Sequence, residues 1–125
     1  MKKRQDEERR AYLQRMEEER GYILDFHKIL AEEDFEFLKS YNSLLQTAYL
    51  SPDTRTESTA KELILIAILV AVRSPSDHIK THMRVAKRLG ATKKEILEVL
   101  EMCLLPAGLP AFIQGFAAWR EVFEV

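Results

Sequence analysis

Glu62-Leu63-Ile64-Leu65-Ile66-Ala67-Ile68-Leu69-Val70-Ala71-Val72-Arg73-Ser74-Pro75-Ser76-Asp77-His78-Ile79-Lys80-Thr81-His82 is the stretch that decides the fold. Ten apolar residues, Leu63 to Val72, follow a single acid. The run is too short to cross a bilayer, which takes about 20 apolar residues. A helix that is apolar all round must be covered on every side, by its own chain or by a partner. Ser74-Pro75 stops that helix, and the next one carries His78 and His82 four residues apart, on one face. Histidine changes charge near neutral pH, so a pair beside the most buried helix is a candidate for proton chemistry.

Working outward, Ser76 is placed to cap a helix from Asp77 to Leu89, and Gly90 to end it. His78 then lies near the helix N-terminus, where the dipole favours a neutral ring. His82 lies on or beside the buried stripe of Ile79, Met83, Ala86 and Leu89. Thr59 and Glu62 have capping-box spacing at the start of the apolar helix, and Thr92 and Glu95 repeat it before a helix from Lys93 to Leu104. The break Pro106-Ala107-Gly108-Leu109-Pro110 precedes a last helix bearing Phe112, Phe116, Trp119 and Phe123, with Pro110 in its first turn. Upstream, Asp34 caps a helix running to about Leu50, ended by Ser51-Pro52-Asp53-Thr54. Tyr22 to Leu30 reads as a short helix. Residues 1–20 read as a solvated helix with many opposite charges at i,i+4 and a thin apolar side of Tyr12, Leu13 and Met16. The expected fold is an all-α bundle of six or seven helices, with a charged N-terminal helix at 1–20 and one domain over 21–125.

Composition limits the function. The chain has 125 residues, the size of one ordinary domain. Its formal net charge of -1 gives no pull toward nucleic acid, and acids nearly cancel the bases of the first helix. The N-terminus lacks the apolar core of a signal peptide. The one cysteine, Cys103, cannot form an intramolecular disulfide and fits a reducing cytoplasm. It falls on a core stripe, where a thiol is usually a small hydrophobe rather than a nucleophile.

Each candidate site residue has a plain structural reading beside the chemical one. His78 and His82 can be ordinary amphipathic positions, bonded to backbone. Glu62 can be no more than the acid of a capping box. Yet a carboxylate held at the first turn of a buried helix is already oriented for proton transfer. A third reading is a metal site, with His27 or Glu62 joining the two histidines. No second ligand motif is visible, so neither a metal nor another cofactor is expected. Arg73 can bind a carboxylate, but arginine is common at helix C-termini in any case.

Several of these features together resemble the carboxymuconolactone decarboxylase and alkylhydroperoxidase D-like superfamily. They are Lys61-Glu62-Leu63-Ile64, the apolar helix, His82, Gly90-Ala91-Thr92-Lys93-Lys94-Glu95-Ile96, Leu105-Pro106-Ala107-Gly108, and the late Phe112, Gly115 and Trp119. The resemblance covers Phe26 to Phe123. It implies an all-α fold assembled into trimers or hexamers, with sites near subunit interfaces. The peroxidase branch carries a Cys-x-x-Cys pair at the positions of Pro75 and His78, so disulfide-based peroxidase chemistry is not expected here. The decarboxylase branch lacks those cysteines and keeps the histidine. It implies loss of CO2 from a small carboxylated substrate, with Glu62, His78 and His82 as the catalytic group. The alternative is a small-molecule binding or scaffold protein without turnover, because one fold hosts both.

Overall fold

The computed structural model describes residues 1–51 and 56–125. Among the described residues there are seven α-helices and no strand. They are α1 (Lys2–Arg20), α2 (Asp25–Glu33), α3 (Phe35–Leu45), α4 (Ser58–Ala71), α5 (Ser76–Arg88), α6 (Lys93–Ala107) and α7 (Leu109–Phe123). None is long and apolar enough to cross a membrane. The chain divides into two compact units, Met1–Asp53 and Thr54–Val125.

In the first unit α1 packs on α2 and α2 on α3. Met16, Ala31 and Leu38 form the buried centre, with Tyr12 and Leu13 packed against it, so the thin apolar side of α1 is the side that docks. Asp34 caps α3 as expected, its carboxylate accepting the Phe37 N–H at 3.1 Å. α3 continues to Leu50 through one widened π turn, Gln46–Leu50. The short helix expected at Tyr22–Leu30 instead begins at Asp25, because the His27 ring caps its first turn: Nδ1 accepts the Leu24 N–H at 3.0 Å. Pro52, Asp53 and Thr54 of the expected chain break lie outside the described residues.

The second unit is a four-helix arrangement in which α4 packs on α5, α6 and α7, and α7 packs on α5 and α6. Ile66, Ile79, Met83, Ile96 and Leu100 are fully buried in its core. The sequence signals hold for the end of α5 and for the starts of α6 and α7. Gly90, at φ +105°, closes α5, with the Gly90 N–H on Lys87 O and the Ala91 N–H on Ala86 O. Thr92 and Glu95 form a reciprocal capping box at 3.0 Å in each direction. Pro110 stands in the first turn of α7. Helix α6 runs past Leu104 to Ala107 with Pro106 in its last turn. α4 closes with Arg73 in the left-handed conformation at φ 57°. A non-glycine residue there costs roughly 1 kcal/mol.

Two expected caps are not formed. α5 begins at Ser76 itself, after Pro75, so Ser76 is its first helical residue and not its cap. α4 begins at Ser58 after Glu57, which puts Thr59 inside the helix, where its hydroxyl donates to Leu89 O at 3.3 Å. Thr59 and Glu62 therefore make no capping box, and the acid is left for another role.

α4 is not covered all round by the other helices of its own unit. Glu62, Ile66, Leu69 and Val70 are buried, while Ile64, Ile68 and Val72 stay 55%, 52% and 67% exposed. Those three positions repeat at i,i+4 and form one stripe.

On the inner side the helices approach closely at Gly115 of α7. A Cβ there would stand 3.0 Å from Val70 Cγ2 and 3.1 Å from Leu100 Cδ2. Glycine to alanine in a helix normally gains about 1 kcal/mol. Gly115→Ala is expected instead to lose about 1–3 kcal/mol by overpacking. Urea unfolding measures it, and a net gain would show that Val70 and Leu100 yield at no cost.

Candidate functional site

Glu62 comes from the first turns of α4 and His82 from the middle of α5. Their helices pack together, and the two side chains meet inside the unit, 1% and 2% exposed respectively. His82 Nδ1 lies 3.0 Å from Glu62 Oε2. A carboxylate oxygen accepts, so Nδ1–H donates and Nε2 becomes the basic atom of the neutral ring. Nε2 is thereby oriented by a carboxylate behind it, the arrangement that holds a general base in one tautomer.

His78 sits one turn before His82 on α5, half-buried, with ring centroids 5.0 Å apart. Its Nδ1 lies 3.1 Å from the Ser74 hydroxyl. Ser74 belongs to the connection between α4 and α5, and its carbonyl accepts from Gln114 Nε2 of α7 at 2.8 Å. Lys80 ties the start of α5 to α7 as well, 3.1 Å from Asp77 and 2.6 Å from Glu121. Burial, and secondarily the neighbouring His82, hold the His78 pKa below the ordinary histidine value of 6.5.

The sign of that shift sets a pH dependence. The unfolded chain takes up a proton at His78 before the folded one does, so folding loses stability as pH falls below about 6.5. Thermal unfolding between pH 7.5 and 5 is expected to show a loss that His78→Gln reduces. An identical slope in the variant would remove His78 as its source.

The three sequence-chosen residues, Glu62, His78 and His82, thus fall in one helix pair. Ser74 was missed; its signal was the i,i+4 spacing to His78. His27 lies in the first unit as the cap of α2, with Nδ1 used by backbone. Among the described residues no three His, Cys, Asp or Glu side chains are gathered closely enough to hold a metal ion. Cys103 is buried, its thiol 3.7 Å from Ala67 O, and burial pushes its pKa up, which suits packing rather than nucleophilic attack. Arg73 is exposed and serves the end of α4.

Residues 36–121 match the model of the carboxymuconolactone decarboxylase family. One curated relative, described as 4-carboxymuconolactone decarboxylase from Acinetobacter baylyi, is 36% identical over 64 residues, covering 51% of this chain and 47% of the relative. The matched segment thus spans about half of each protein. With the matched family region holding α4 to α6 and nearly all of α3 and α7, the chain belongs to the carboxymuconolactone decarboxylase family.

Proposed function

We propose that the chain is an acid/base decarboxylase acting on a small carboxylated substrate of the unsaturated-lactone type. The observation that carries this reading is the buried Glu62–His82 pair, with a second, neutral histidine beside it. In the reaction the bond from the ring carbon to the carboxylate breaks, CO2 leaves, and the electron pair moves into the lactone as a dienolate. That carbanion equivalent then needs a proton. His82, having taken a proton from solvent at Nε2, delivers it from there as an imidazolium and returns to the neutral ring, and Glu62 stabilises the cation through Nδ1 while it lasts. His78, kept neutral, hydrogen-bonds the lactone carbonyl or the departing carboxylate. The Ser74 hydroxyl, donating to His78 Nδ1, leaves Nε2–H as the donor toward substrate.

The uncovered stripe of Ile64, Ile68 and Val72 supports the further reading that copies of the chain assemble, burying it. Cytoplasmic location is the corresponding reading of a chain whose one thiol suits a reducing compartment.

The test is release of CO2 from 4-carboxymuconolactone by the purified protein across pH. A bell-shaped profile governed by groups near neutrality is expected. Binding of the lactone without turnover would make the chain a binding protein on the decarboxylase fold.

A further inference from the structure

The first unit buries a positive charge that no acid among the described residues neutralises. Arg20, the last residue of α1, is 4% exposed, and a guanidinium stays charged at every working pH. One of its terminal nitrogens, Nη2, donates to Asn42 Oδ1. Asn42 is held in that orientation because its Nδ2 donates to the Tyr12 hydroxyl at 3.1 Å. The guanidinium carbon lies 6.0 Å from the centre of the Tyr22 ring. None of these partners carries negative charge, and Arg20 is in no ion pair among the described residues. Its Nε is buried without a hydrogen-bond partner, the one such side-chain atom among the described residues.

The neighbouring ring does not supply the missing acceptor. His27 Nδ1 accepts the Leu24 N–H at 3.0 Å, so the neutral ring carries its hydrogen on Nε2. That Nε2 faces Arg20 Nη1 at 3.4 Å. A guanidinium only donates, so donor faces donor there. An uncompensated buried charge costs several kcal/mol, and a buried polar group is expected to find a partner. What would satisfy Arg20 is an acceptor with two coplanar oxygens and one negative charge. A carboxylate matches the guanidinium fork and cancels a single positive charge.

We propose that Arg20, with His27 beside it, is a binding site for a carboxylate anion. The carboxylate is supplied either by a small free acid or by an acidic side chain of a second copy. Both have the same chemistry at the guanidinium. The site uses neither Glu62 nor His82, so it is expected to bind in the His82→Ala protein as well.

The experiment is thermal unfolding of the full chain in chloride buffer at constant ionic strength, titrated with acetate, benzoate and inorganic phosphate, with mass measured by light scattering. For a free acid, acetate or benzoate raises the melting temperature saturably and phosphate does so less. Arg20→Met abolishes that rise, and Arg20→Lys weakens apparent affinity by about tenfold or more, because lysine lacks the two-pronged edge. Without ligand, Arg20→Met melts no lower than the parent, since it removes a buried charge that no acid balances. For a side chain from a second copy, the parent is an oligomer that acetate dissociates and Arg20→Lys weakens. If neither melting nor mass responds to a carboxylate, or if the response persists in Arg20→Met, the site does not exist. Should Arg20→Met fail to fold, Arg20→Lys decides the question: an undiminished response in that variant overturns the proposal.

Discussion

Replacing His82 with alanine is expected to slow CO2 release from a carboxylated lactone by roughly 10²–10⁴-fold, the usual worth of a positioned acid or base. The ring's Nδ1 is anchored 3.0 Å from a buried carboxylate, so in the proposed reaction its loss removes an oriented proton carrier and not a surface group. The fall should lie in kcat more than KM, because proton delivery to the dienolate is a transition-state event. His82→Asn separates chemistry from structure. Its side-chain amide can still donate to Glu62, yet it cannot carry a proton. It should therefore fold better than His82→Ala and be equally slow. Turnover within a few-fold of the parent in a folded His82→Ala protein would remove His82 from the mechanism.

Glu62→Ala is expected to cost about 1–3 kcal/mol of folding stability, the scale for leaving a buried donor, here the neutral ring's Nδ1–H, without its acceptor. Both the lost partner and the void contribute, since Glu62 lies in fully packed surroundings at the base of α4. Glu62→Gln keeps the volume and an acceptor oxygen for His82 Nδ1–H. It should cost much less stability while still slowing the reaction, because a neutral amide stabilises the imidazolium poorly. A double-mutant cycle of Glu62→Ala with His82→Ala isolates the pair, and a coupling of about 0.5–3 kcal/mol is the range for contacting residues. Additive effects would mean that the 3.0 Å contact contributes nothing to folding.

Two matching patterns show how far the sequence is readable. Thr92 and Glu95 have capping-box spacing and form the box. Thr59 and Glu62 have the same spacing and do not. The first pair precedes a helix whose start it alone defines. The second lies inside a helix that began one residue earlier, and each side chain has a better partner in a distant segment: Leu89 O for Thr59, His82 for Glu62. Local preference gives way where packing brings up a partner from another segment. Glu62 stands out as a candidate in the sequence, but the reason it is buried is not visible locally. Ser74 shows the same limit, since its bond to His78 depends on a turn also held by Gln114, forty residues away.

By itself the sequence determined the helices and most of their ends: Asp34 before α3, Gly90 after α5, Thr92 before α6 and Pro110 at the start of α7. Those signals act within about four residues, so no fold is needed to read them. The tertiary structure alone decided that Glu62 turns inward to His82 and that α4 leaves Ile64, Ile68 and Val72 uncovered. It also decided that Arg20, one charge in a helix full of charges, is the one buried beside Asn42 and His27. Charge and hydropathy tell what a residue prefers. Only the packing of helices from distant parts of the chain tells which residues are taken out of water against that preference.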